Sequence, residues 1–441
     1  MSGYLAASAL RDGSGGALLA LETALGVTPS GLVEHPQFFD GFLARPEVVA
    51  AGLLAVADVA GTRYVDLAAV RARFLDPVVT ASGDRLRFES FSACNGVYAR
   101  LDLLADGIDS GEIGFGTTNV DVNQPLRSAL AGLGAGALVH LGVGSDSLRV
   151  STIEETHEER KVDLPDRWVR GFAETPVSAA RMQQRAELTG PAIAPFLARL
   201  PKGAPGPSYY VVQSPAGLRQ SARAVPGAVQ LAGTARLTAA VRVARFARWL
   251  KIFGNDDGAS AWAFGLPGAT LTLQLSPEPY RGFSGEGGLL TSLTTSTADQ
   301  AARILEYLAW EPMIDRVGLA ELTGLAPPAV DSGLDFLASS GKVGFDLLDN
   351  TWFHRELPFE PGRTARDNPR LTAARALVVA GQVTRDGADW IVRVDDHQHW
   401  VSPTATSHRC TCLWWAKYPD TRGPCKHILA VLLSAAEGHD A

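Results

Sequence analysis

The residues of this 441-residue chain best suited to chemistry stand near its C-terminus: Cys410 and Cys412, a twelve-residue gap, then Cys425 and His427. The segment reads HRCTCLWWAKYPDTRGPCKHILAVLL and holds three of the four cysteines. In an extended strand alternate side chains share a face, so the two sulfurs of a Cys-x-Cys pair can reach one ion. Pro424 and the apolar run Ile428, Leu429, Val431, Leu432, Leu433 place the second pair at the start of a helix. Three thiolates and one imidazole match a closed tetrahedral zinc site, which leaves no position for water or substrate. The expected cofactor is therefore one structural Zn2+. Its excess negative charge is offset by Arg409, Lys417, Arg422 and Lys426, all close in sequence.

Other readings of these residues stay open. Cysteines beside an apolar helix also serve as small buried hydrophobes or pair as disulfides. His397, His399 and His408 lie near enough in sequence to rival His427 as the fourth ligand. Cys94, alone in FSACNGV, reads as an inert thiol.

The Cys-x-Cys, gap, Cys-x-His pattern followed by ILAVLL resembles a SWIM zinc finger, with the stretches Ala376 to Val383 and Trp390 to Val394 standing where that module's β-hairpins stand. The resemblance covers about the last sixty residues. SWIM modules are described as binding DNA or proteins. The whole chain resembles the bacterial SWIM zinc finger family proteins, which implies a neighbourhood of MoxR-type ATPases and von Willebrand factor A domain proteins as partners. On that basis we expect a scaffold or adaptor, with nucleic-acid binding as the alternative. Trp414, Trp415 and Tyr418, with Lys417, lie inside the gap between the ligand pairs. They either pack on the finger's small core or form a contact surface for a protein or for stacked bases.

Catalytic signatures are missing from the sequence. It has no His-Glu-x-x-His and no Gly-x-Ser-x-Gly, and Cys425 is not followed by a second cysteine as in deaminases. The expectation is a protein that is not an enzyme. The series Arg242, Arg245, Arg248, Lys251, read on a helix from Arg236 to Phe253, is a candidate anion contact, although steps of three drift around a helix. RGFSGEGGLL (Arg281 to Leu290) lacks the Gly-Lys-Ser/Thr ending of a phosphate loop. The cluster Glu154, Glu155, His157, Glu158, Glu159 reads as a solvated charge run.

These groups need a frame, and at 46% hydrophobic the chain can build several cores. No apolar run reaches the length of a membrane span and the first residues lack a signal-peptide pattern, so a cytoplasmic protein without membrane contact is expected. The net charge of −7 is uneven: Pro201 to Thr295 carries nine basic and four acidic residues, Thr297 to Leu357 four basic and ten acidic. Segments of opposite sign invite packing against each other.

The fold expected is α+β and multidomain. Residues 1–80 read as a helical N-terminal cap, with helices at Ser14 to Leu25 and Pro46 to Val59. Residues 81–200 and 209–295 read as two α/β units, possible duplicates, since LPDRWVRGF and SPEPYRGF close them with related text. Residues 297–357 give the helix, helix, helix, hairpin order of a winged helix. Its third helix offers Asp331, Ser332 and Asp335 and its hairpin Asp346 and Asp349, a face that phosphates would repel. That segment is expected to serve protein contact or packing. Residues 376–438 form the zinc module.

Overall fold

The computed structural model describes residues 7–13, 16–64, 76–134, 136–144, 164–201, 208–215, 217–284, 288–357, 368–404, 408–419 and 422–437. Its fold is mixed α and β, with several sheets and a small C-terminal module.

The first eighty residues are not a helical cap. Among the described residues of this stretch, Ala9–Gly13, Gly16–Leu21, Gly26–Thr28, Gly31–Val33 and Phe39–Leu43 are strands, and Pro46–Gly61 is the one expected helix that forms. A short apolar run such as ALLAL has no periodicity that separates strand from helix. Here its backbone finds partners on both sides, antiparallel to Ala9–Gly13 and parallel to Val139–Val143. Pro46 opens the helix, where its missing N–H costs nothing, and thirteen of the sixteen residues are buried.

The body is built on a ten-stranded sheet among the described residues. Val78–Ser82, Arg85–Phe91 and Val97–Leu104 form one antiparallel meander; Trp249–Gly254, Ser260–Leu266 and Ala269–Leu275 form another. The meanders join through Val97–Leu104 and Ala269–Leu275, paired in register from Leu103 opposite Ala269 to Val97 opposite Leu275. Strands from residues 81–200 and 209–295 thus share one sheet. Each meander is preceded by a helical segment, Pro46–Gly61 or the 3-10 helix Thr234–Arg242, and these two segments touch.

The helix read from Arg236 to Phe253 does not form. The 3-10 helix ends at Arg242, and Trp249–Gly254 is a strand between Gln183–Thr189 and Ser260–Leu266. Its alternation of half-buried Trp249 and Lys251 with buried Leu250 and Ile252 has period two, which decides the state.

Residues 297–357 contain the helices Ala298–Leu305, Arg316–Thr323 and Pro327–Ser339, then the hairpin of Val343–Asp346 and Thr351–His354. Thr297 and Gln300 form a capping box, and Gly324 ends the second helix at φ 67°. The third helix packs against Asp166–Ala180 and Gly288–Thr295.

The acidic side chains turn toward the body. Asp346, 1% exposed, takes a 2.9 Å bond from Arg100, while Arg85 reaches Asp349 at 3.0 Å. Asp335 lies 4.0 Å from Arg181. Opposite charges do meet, but the hairpin's arginines come from the first meander and not from the basic stretch 201–295. Arg87 caps the cluster, its guanidinium 4.0 Å over the Phe353 ring, and Arg355 pairs with buried Glu89 at 2.7 Å.

The C-terminal module begins with helix Pro369–Val379, where the sequence reading has a strand from Ala376 to Val383. The alanines and leucines of PRLTAARALVV bury Leu371, Ala374 and Leu377 at helical spacing. A four-stranded antiparallel sheet follows, Val383–Asp386, Asp389–Val394, His397–Pro403 and His408–Cys410, then the short helix Leu413–Lys417 and the helix Lys426–Glu437. The last helix packs on Pro369–Val379 and Gly288–Thr295, so the module shares one hydrophobic core with residues 297–357. No described helix is long and apolar enough to cross a membrane.

Candidate metal centre

Local structure places each of the four ligand residues. Cys410 ends a strand whose partner is Val401. Cys412 is the N-cap of Leu413–Lys417, its sulfur accepting the Trp415 N–H at 3.4 Å. Cys425 precedes Lys426–Glu437 in the same way, accepting the Ile428 N–H at 3.5 Å. His427 stands in the first turn of that helix, its Nδ1 lying 3.7 Å from Cys410 Sγ and 3.9 Å from Cys425 Sγ. Backbone donors on two sulfurs favour their thiolate forms.

The four ligand atoms lie within 4.8 Å of one another, and all four residues are buried. Zinc bonds of about 2.3 Å to sulfur place tetrahedral ligands about 3.8 Å apart, so the cluster has the size such an ion needs. In the metal-free cluster the three sulfurs titrate against one another, Cys410 and Cys425 raised and Cys412 lowered. Hydrogen bonding to Cys412 and Cys425 holds the Cys410 thiol far above its ordinary range, and hydrogen bonding from Cys410 and Cys425 holds Cys412 far below. Three sulfurs this close cannot all be thiolates unless a cation joins them.

The rival histidines stand outside the cluster. His397 is exposed and His408 half-buried, its imidazole pushed below the usual pKa by desolvation. His399 stacks on the His427 ring at 4.1 Å, with its own pKa lowered first by desolvation and then by His427.

The aromatics of the gap separate. Arg370, from the helix Pro369–Val379, lies 4.4 Å over the Trp414 ring and donates to the carbonyls of Arg422 at 3.0 Å and Pro424 at 2.8 Å. Tyr418 packs on Trp414 at 5.0 Å and lies beneath Arg422 at 4.2 Å, with the exposed Lys417 at 5.3 Å. Trp415 instead lines a cleft toward the body. Arg370 carries no local sequence signal, because its partners Trp414, Arg422 and Pro424 come more than forty residues later.

The chain matches the family model of the SWIM zinc finger over residues 399–436. Those residues are a SWIM zinc finger. No curated protein matches the chain. Among solved structures, the proliferating cellular nuclear antigen of Entamoeba histolytica is similar at 10% identity and a TM-score of 0.35, over 55% of this chain and 100% of that one.

The finger's Cys3His cluster fits one structural zinc ion. The candidate anion contacts form no comparable group. Arg242 pairs with Asp58, Arg245 lies on Phe246 at 4.5 Å, Arg248 is exposed in a turn, and Lys251 lies over Trp249 at 5.1 Å. Cys94 is half-buried, 3.4 Å from Ser92 Oγ. The cluster Glu154 to Glu159 and residues 285–287 of the glycine-rich turn lie outside the described residues.

Proposed function

We propose that this protein is a non-enzymatic, zinc-stabilised adaptor of the cytoplasm whose SWIM finger makes a protein contact. The observation that carries this reading is the closed ligand shell. Four buried protein ligands use up a tetrahedral ion, so the metal can hold the loop but not react. What the finger offers is the pinned loop itself. Leu413, 88% exposed, stands beside Trp415 and Lys417, and Trp400 is 41% exposed on the neighbouring strand. Apolar side chains on a rigid frame lose little entropy on binding. Trp414 and Tyr418 brace that frame from within the finger.

The partner class implied by the family resemblance is a MoxR-type ATPase or a von Willebrand factor A domain protein. The helix, helix, helix, hairpin segment serves in this reading as a winged-helix-like packing element, in keeping with the inward Asp346. The paired helix and meander halves fit an old duplication of the body. Nucleic acid is disfavoured by the net charge of −7 and by the dispersal of Arg242, Arg245, Arg248 and Lys251.

Two measurements test the reading. Labelled duplex and single-stranded oligonucleotides should show weak affinity with a shallow salt slope; a slope of several released ions overturns it in favour of nucleic-acid binding. A protein co-purified with the tagged chain from its host should be lost on Leu413→Asp with Lys417→Glu, while zinc content holds.

A further inference from the structure

The SWIM finger and the body do not close on each other completely. Between them lies a cleft of about 890 Å³, within the size range of ligand sites. Trp415, Ile428 and Leu432 line it from the finger, and Val177, Phe283 and Leu289 from the body. These side chains give it an apolar floor shared by two structural units.

The charged lining is unbalanced. Four carboxylates, Glu174, Asp256, Asp257 and Glu278, face two guanidiniums, Arg181 and Arg281. Arg181 is drawn partly away, bonding to Ser292 and approaching Asp335. Glu174 is held in place by the backbone N–H of Ser284 at 2.6 Å. Asp256 and Asp257 project from the exposed turn between the strands Trp249–Gly254 and Ser260–Leu266. A cleft with low-dielectric walls and a surplus of one sign concentrates the opposite charge.

We infer that this cleft takes a cationic peptide segment of the protein partner, its Lys or Arg side chains meeting the acidic rim and its apolar side chains lying on Trp415 and the floor. The inference rests on the adaptor reading and deepens it. Trp415 supplies a large, stiff apolar surface of the kind that anchors interfaces. Phosphate backbones are excluded by the same carboxylates that attract the peptide.

The test is a selection from a random nonapeptide library on the full-length, zinc-loaded protein, followed by affinities for the recovered peptides. Asp256→Asn with Asp257→Asn removes rim charge at exposed turn positions. The expected peptides carry net positive charge with interleaved apolar residues, and their dissociation constants rise about tenfold in the double variant at ~0.15 M salt. Recovery of acidic or uncharged peptides, recovery of none, or affinities indifferent to the double substitution overturns the inference. So does a single-stranded oligonucleotide bound more tightly than the peptides. A host partner lost on Leu413→Asp with Lys417→Glu but retained by the double Asn variant leaves the adaptor reading standing and sinks only the cleft's role.

Discussion

Arg100 in the centre of the body's sheet donates to Asp346 in the acidic hairpin at 2.9 Å, with side-chain exposures of 3% and 1%. The same guanidinium reaches Asp102 at 2.9 Å and the Phe345 carbonyl at 2.9 Å. Burial pushes the Asp346 carboxyl up, but Arg100 and Arg87 pull it further down, so it stays ionised. This contact fastens residues 297–357 to the sheet, and through their shared core it sets where the finger sits.

Asp346→Asn leaves Arg100 and Arg87 buried with too little negative charge. Removing one partner of a buried pair costs about 3–5 kcal/mol. Urea denaturation should show that loss, and Arg100→Met in the same chain should recover part of it. A loss under ~1 kcal/mol means the pair does not lock the units together.

Cys425→Ser removes one of the four zinc ligands. Structural zinc supplies on the order of 10 kcal/mol to such modules, so the finger should lose its metal and unfold. Elemental analysis should fall from one zinc per chain to near none, while the body keeps its melting transition. Full zinc content with unchanged melting refutes the ligand assignment.

Arg370→Ala takes away the guanidinium that clamps the Pro424 carbonyl beside Cys425 and covers Trp414. Groups that position ligands commonly contribute about 10–100-fold to metal affinity. Competition with a chromogenic chelator should show zinc released at least ~10-fold more readily, with Arg370→Lys intermediate.

Glu356 gives a pH signature. His354 accepts the Trp310 N–H on Nδ1 at 2.7 Å, which leaves Nε2 as the donor toward Glu356 at 3.3 Å. That bond, then Lys342 at 2.8 Å, hold the Glu356 carboxyl at about 2, below its ordinary 4.5. A depressed acid stabilises the fold above its unfolded pKa and loses that contribution as pH falls toward the folded one. On the order of 1–2 kcal/mol should disappear between pH 4.5 and 2, after discounting for partial exposure. Glu356→Gln should flatten that part of the stability curve, measured by denaturation at stepped pH.

How far the sequence is legible follows from where each residue's partners lie. The helix opened by Pro46 rests on neighbours within a few residues and forms as expected, and the hairpin turn at Asn350, the capping box of Thr297 and Gln300 and the helix start at Pro327 are equally local. The apolar runs at Gly16–Leu21 and Trp249–Gly254 read as helix, because their state depends on distant strands. Arg87, Glu89, Arg100 and Asp102 alternate along their strands as solvent-facing residues do, yet the 297–357 segment covers them.

The sequence by itself determined the ligand set of the SWIM finger, since metal chemistry dictates donor types and a chain can bring four donors together only through short, regular spacings. Tertiary structure alone decided that the two strand meanders form one sheet, that the acidic hairpin is buried on arginines, that Trp415 faces a cleft while Trp414 is stacked inside, and that the basic series is scattered. Those outcomes depend on hydrogen bonds, burial and charge pairing between residues far apart in the chain, and no local pattern encodes which distant partner a side chain will meet.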